Sequence, residues 1–167
     1  MIQVDEPALR EGLPLKQKCH KDYLDWAVNA FRLVSERVQS TTQIHTHMCY
    51  SEVHDIIESI SAMDADVISI ETLRRHGELI KIFEDYVYDK GIGLGFYDIH
   101  CPRIPPVHEM TDTILQALHF LPSRLFWINP YCGLKTLTEE ETVAAMINMQ
   151  QAAEAAREQH KSYSSDS

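Results

Sequence analysis

No apolar run in the sequence approaches the roughly 20 residues a helix needs to span a bilayer, and MIQVDEPALREG has neither a basic start nor an apolar core. Neither a membrane span nor a secretory leader is expected, and the chain is expected in the cytoplasm. Basic residues are outnumbered. Fifteen Lys and Arg face 25 Asp and Glu, the formal net charge is −10, and the basic residues are scattered, which argues against nucleic acid as a partner. Cysteine is sparse: Cys19, Cys49, Cys101 and Cys132 lie far apart in a chain without secretion signals, so metal binding or catalysis outranks disulfides. There is no low-complexity linker, and 44% hydrophobic with 24% charged residues supports neither disorder nor a fibre. A chain of 167 residues is expected to form one domain with a sizeable core.

What is present is an alternation. Short runs rich in Ile and Val, MIQVDEP (1–7), TTQIHTHMC (41–49), DVISIET (66–72), GIGLGFYDIH (91–100) and RLFWINPYCG (124–133), each read as a strand ending in polar or reactive residues. Between them, residues 21–38 place Leu24, Ala27, Val28, Phe31 and Val34 or Val38 on one helical face, and residues 51–63 do so with Val53, Ile56, Ile57 and Ile60. Helical period continues over 76–87, over 107–121 through Met110, Ile114, Leu115 and Leu118, and over 139–159. Strict β-α alternation predicts a parallel sheet, because parallel neighbours need a crossover, and chemistry in such sheets gathers at the carboxyl ends of the strands. The fold class is α/β.

The unusual residues fall at those ends. His47 and Cys49 are two apart, so on an extended strand they point to the same face, which His45 shares at a deeper level. Glu71 ends the third run and Cys132 the fifth. One nitrogen, two sulfurs and a carboxylate suit tetrahedral Zn²⁺. On the residues alone the bland reading stays open, because a histidine or free cysteine on a strand is more often core filling. Asp98 shares the strand face of His100, where it either orients the imidazole or caps a loop. The histidines of helical and loop segments are expected at the surface, and Met48, Met63, Met110, Met146 and Met149 in the core.

DEPALREGLP, QIHTHMCYS, DADVISIET, YDIH followed by PRIP, and NPYCGLKT occur in that order over nearly the whole chain, to about residue 157. Together they resemble the carboxyl-terminal part of the cobalamin-independent methionine synthase family. The resemblance implies a (βα)8 TIM barrel, of which this chain is expected to hold about five parallel strands, the fourth to the eighth. Residues 1–159 would form the barrel part, and the polar tail 160–167 is expected to fray. The implied reaction is zinc-dependent transfer of a methyl group from 5-methyltetrahydropteroyl-polyglutamate to homocysteine. The resemblance carries the zinc ligands onto His47, Cys49, Glu71 and Cys132. Two thiolates and one carboxylate around Zn²⁺ leave one net negative charge, which keeps a bound sulfur nucleophilic. The donor's tertiary amine leaves badly unless protonated, and His100 matches the family's proton donor. Asp5 matches the residue that holds homocysteine, and Glu11 a folate contact. Tyr131 stands where the family pattern has an acidic residue, and Cys101 where a serine is usual.

For the isolated chain, the resemblance implies missing upstream strands and an exposed parallel edge at Ile2 and Val4. The expected consequences are self-association or recruitment of a chain supplying the other barrel half, and no appreciable turnover alone. The competing reading is a zinc-binding remnant or interaction module without turnover.

Overall fold

The computed structural model describes residues 1–5, 9–48, 54–70, 86, 88–98, 101 and 103–165. The Ile- and Val-rich runs form strands β1 (Ile2–Asp5), β2 (Ile44–Met48), β3 (Val67–Ile70), β4 (Gly91–Gly95) and β5 (Phe126–Asn129). Between and after them stand helices α1 (His20–Ser35), α2 (Ile57–Ala62), α3 (Val107–Ala117) and α4 (Glu139–Ser165). The strands pair in parallel in the order β1-β2-β3-β4-β5, so each lies beside its neighbour in sequence. This is the architecture of part of a (βα)8 barrel. The helical pattern expected over 76–87 lies, apart from Tyr86, outside the described residues.

Register gives the sheet two unlike faces. Val4, Thr46, Ile68, Ile92 and Phe126 stand side by side in one row, and Met48, Ile70 and Leu94 in the next. These meet Val28 and Phe31 of α1, Ile57 and Ile60 of α2, Met110 and Ile114 of α3, and Met149 of α4 in one apolar core. Burying one such Ile or Leu side chain contributes about 1.5–3 kcal/mol. The opposite face carries Asp5, His47, Ser69, Gly93 and Trp127 in one row, and Gln3, His45, Val67 and Gly91 in another. A sheet with an apolar face under its helices and a polar, small-residue face on the other side suits a barrel wall.

Asp66 holds the amino-terminal edge of this sheet. Its carboxylate accepts the Ile44 N–H at 2.7 Å, its own N–H donates to the Ile44 carbonyl at 2.9 Å, and its carbonyl accepts the Gly91 N–H at 2.9 Å. One residue thus ties the starts of β2, β3 and β4. Asp64, just after α2, has φ 63°, a left-handed conformation that Asp tolerates at a helix end, and its carboxylate pairs with Lys90.

Several boundaries differ from the sequence expectation. In α1, Val34 is exposed: it follows the line of Ala27 at the margin of the buried stripe, and a longer side chain there reaches water. Residues 54–56 form a 3-10 turn before a short α2. The tail expected to fray from His160 continues α4 to Ser165, because residues 150–165 contain no Pro or Gly and many strong helix formers. The buried line of α4 is Ala145, Met149, Ala152 and Ala156, whose small members let α3 approach closely, while Met146 lies a step around the helix and is exposed. A reciprocal capping box starts α4: the Thr138 N–H donates to Glu141 Oε2 at 2.9 Å, and the Glu141 N–H to Thr138 Oγ1 at 3.3 Å. Among the described residues, no helix is long and apolar enough to cross a membrane.

Candidate metal centre

Because all five strands run the same way, their carboxyl ends share one rim. His47 is half-buried near the end of β2, and its register partner on β1 is Asp5, so both point to the polar face at one level. Asp5 is exposed and accepts a hydrogen bond from Gln3 Nε2 at 2.8 Å.

Cys132 follows β5 after Pro130 and Tyr131. Its Sγ lies 3.5 Å from His47 Nε2. β3 and β4 separate β2 from β5, and in a flat sheet those outer axes would stand about 14 Å apart. The two side chains meet because the sheet curls toward its polar face and the segment after β5 turns inward. Tetrahedral zinc ligands, a nitrogen at about 2.0 Å and a sulfur at about 2.3 Å, stand about 3.5 Å from each other. The observed spacing fits one edge of such a tetrahedron and also lets thiol and imidazole share a hydrogen bond.

β2 and β3 end at Met48 and Ile70, directly before Cys49 and Glu71 in the sequence. Cys49, Glu71 and His100 lie outside the described residues. Among the described residues, no cluster of three or more His, Cys, Asp or Glu side chains assembles. Glu11 is exposed in the connection between β1 and α1, which is anchored by fully buried Leu9. β4 ends at Gly95, earlier than expected, so Asp98 stands in the following loop, where its carbonyl accepts the Cys101 N–H at 3.1 Å. Asp98, Cys101, Arg103, Glu109 and Tyr131 help line a cleft of about 220 Å³ beyond β4. Hydrogen bonding to Arg103 holds the exposed Glu109 carboxyl below its usual range.

His45 is not part of this pair. It lies only 5% exposed, edge-on to Trp127 with ring centroids 5.0 Å apart. Burial lowers its pKa against an opposing pull from Asp66, which favours the uncharged ring at this packed position.

The glycines of β4 belong to none of the site motifs in the sequence. Gly91, Gly93 and Gly95 alternate, so all three open onto the polar face. A Cβ on Gly93 would come within 2.3 Å of Asn129 Oδ1 and 2.9 Å of Ser69 Oγ, and one on Gly95 within 2.0 Å of Tyr131 Cδ1. Side chains from β3 and from β5 with its carboxyl-terminal extension therefore lie across β4, and the signal for this was glycine at every second position of a strand.

Comparison with known proteins places the chain in a family and a fold. The family profile described as "Cobalamin-independent synthase, Catalytic domain" matches residues 1–155. A 5-methyltetrahydropteroyltriglutamate–homocysteine methyltransferase of Halalkalibacterium halodurans is 63% identical over 161 residues, which cover 96% of this chain and 21% of that protein. The enzyme of the same name from Lactiplantibacillus plantarum is 61% identical over 149 residues, 89% of this chain and 19% of its own length. The chain thus spans about a fifth of these relatives. Among solved structures, a B12-independent methionine synthase from a Shewanella species, in complex with selenomethionine, superposes with a TM-score of 0.76 at 19% identity. That match covers 96% of this chain and 49% of the Shewanella chain, and it shows the fold.

Proposed function

Because this chain belongs to the cobalamin-independent methionine synthase family, as a portion of its catalytic domain, we propose that it forms the zinc-bearing rim of an enzyme that methylates homocysteine to methionine, with 5-methyltetrahydropteroyl-polyglutamate as donor. The observation that carries this reading is the 3.5 Å approach of Cys132 Sγ to His47 Nε2 from non-adjacent strands. His47 and Cys132 would hold zinc together with Cys49 and Glu71. Bound zinc would supply a Lewis acid that lowers the substrate thiol's pKa of about 8.5, so that it reacts as a thiolate near neutral pH.

The chain's own residues divide the remaining work. Asp5, level with His47 on the adjacent strand, suits the ammonium group of homocysteine and would aim its sulfur at the rim. Glu11, exposed in the connection after β1, would contact the folate. The homocysteine sulfur forms a bond to the donor methyl carbon as the carbon–nitrogen bond breaks, and His100 gives a proton to the departing nitrogen, which takes the electron pair.

Most of both substrate pockets would come from further barrel strands, in the same polypeptide or a second one. Exposed apolar side chains support such a neighbour: Trp26 and Leu33 on α1, and Val143, Met146 and Ile147 on α4. Alone, the chain is a zinc-binding piece without turnover. The test joins it to the remaining strands and assays methyl transfer with zinc and both substrates. Methionine formation that Cys132→Ala abolishes is the expected result, and formation indifferent to Cys132 overturns the reading.

A further inference from the structure

The contact between Gly95 and Tyr131 bears on how the metal rim is built. Tyr131 is 1% exposed and immediately precedes Cys132. Its N–H donates to the Tyr97 carbonyl at 3.1 Å, and the Phe96 N–H donates to the Asn129 carbonyl at 2.9 Å, so the β4–β5 pairing extends past both strand ends. A Cβ on Gly95 would meet not only ring carbons Cδ1 and Cε1, at 2.0 and 2.6 Å, but also the Tyr131 Cα, at 3.0 Å. Rotating the ring clears the first two contacts and leaves the third. Restoring ordinary contact therefore moves the backbone that carries Cys132.

We propose that bare Gly95 is the seat on which the Tyr131 ring rests, and that this seat positions Cys132 for metal binding. The inference rests on the zinc reading of His47 and Cys132. Neither Gly95 nor Tyr131 touches the metal in this scheme; both are positioning residues. The coupling is stiff because Tyr131 is clamped by its backbone hydrogen bond and by its buried ring, and Cys132 is the next residue. Ligand distances in metal sites are held to within about 0.2 Å, and relieving the 3.0 Å approach to the Tyr131 Cα moves that backbone by about a few tenths of an ångström, enough to exceed this tolerance. The orienting shell of a metal site typically governs about 10- to 100-fold in affinity.

The experiment titrates the full chain with Co²⁺, whose thiolate charge-transfer absorption reports cysteine ligation directly, and follows folding by circular dichroism on the same samples. Gly95→Ala should bind Co²⁺ about 10- to 100-fold more weakly than the unsubstituted chain. Tyr131→Phe, which keeps the ring, should bind as the unsubstituted chain does, and Tyr131→Leu, which removes the ring without adding an atom to β4, should weaken binding. Gly133→Ala serves as the control, since an added Cβ there meets nothing within 4 Å. Combining Gly95→Ala with Tyr131→Ala should cost less than the product of the two separate losses, because the first collision disappears with the ring. Undiminished binding by folded Gly95→Ala overturns the proposal; if that variant does not fold, undiminished binding by Tyr131→Leu does. No thiolate absorption in the unsubstituted chain would instead overturn the zinc reading itself.

Discussion

Replacing Asp66 tests how the amino-terminal edge of the sheet is held. Of its three hydrogen bonds among the described residues, one runs through the side chain, the 2.7 Å bond accepted from the Ile44 N–H. Asp66→Ala removes that charge-assisted acceptor, worth about 1.5–3 kcal/mol, and leaves the N–H of a residue only 6% exposed without it. Asp66 itself is exposed, so water recovers part of the loss, and about 2 kcal/mol is the expected destabilisation. For a chain of this size that lowers Tm by about 4–8 °C. Asp66→Asn retains a carbonyl oxygen in the same place and should cost about 0.5–1 kcal/mol. Urea titrations give the free energies, and the Ile44 amide should exchange with solvent faster in Asp66→Ala than in Asp66→Asn. A stability within about 0.5 kcal/mol of the parent, or an Ile44 amide whose exchange does not change, would refute the role given to this carboxylate.

The other expectations concern the rim and one surface pair. Cys132→Ala and Cys49→Ala should each lose zinc, as measured by metal content after dialysis, while Cys19→Ala, in the 3-10 turn before α1, should retain it; equal retention by all three would remove the ligand assignment. In a polypeptide that turns over, His100→Asn should slow methyl transfer at unchanged zinc content, and loss of zinc would move His100 into the coordination shell. Hydrogen bonding to Lys90 holds the Asp64 carboxyl below its ordinary 3.8. Between that lowered value and 3.8 the unfolded chain binds more protons, so the pair's stability is present above about pH 4 and is lost as pH falls through the folded value. Asp64→Asn, which tolerates the left-handed backbone, should flatten this part of the acid-unfolding profile; an unchanged slope would count against the pair.

The strand order and the identity of the core strands were legible because Ile and Val runs alternate with helical periods and each crossover enforces a parallel neighbour. The pairing of His47 with Cys132 was legible only as two strand ends, since nothing in the spacing of 85 residues states that the sheet curls enough to join them. In the sequence, Tyr131 is legible only as a departure from a family pattern. Its seat depends on the absence of an atom at Gly95, and an absence acquires meaning only when a second strand lies against it. The buried helix faces were misplaced for a local reason. Val34 and Met146 are apolar and near the right period, yet each sits just off its helix's buried line, and periodicity does not resolve that rotation.

A sheet whose spatial order repeats its chain order has a consequence for synthesis. Each βα unit leaving the ribosome finds its partner already at the growing edge, and none of the five strands must be inserted between two that have paired. Contacts then close over one crossover at a time, which keeps loop-closure costs small and lets ordering proceed from the amino terminus as elongation continues. The proposed metal rim is the exception, because His47 must wait 85 residues for Cys132. Nascent chains arrested before Cys132 should therefore protect β1 to β4 while their affinity for zinc stays low, and on the zinc reading the emergence of the segment after β5 would set the moment at which metal is captured.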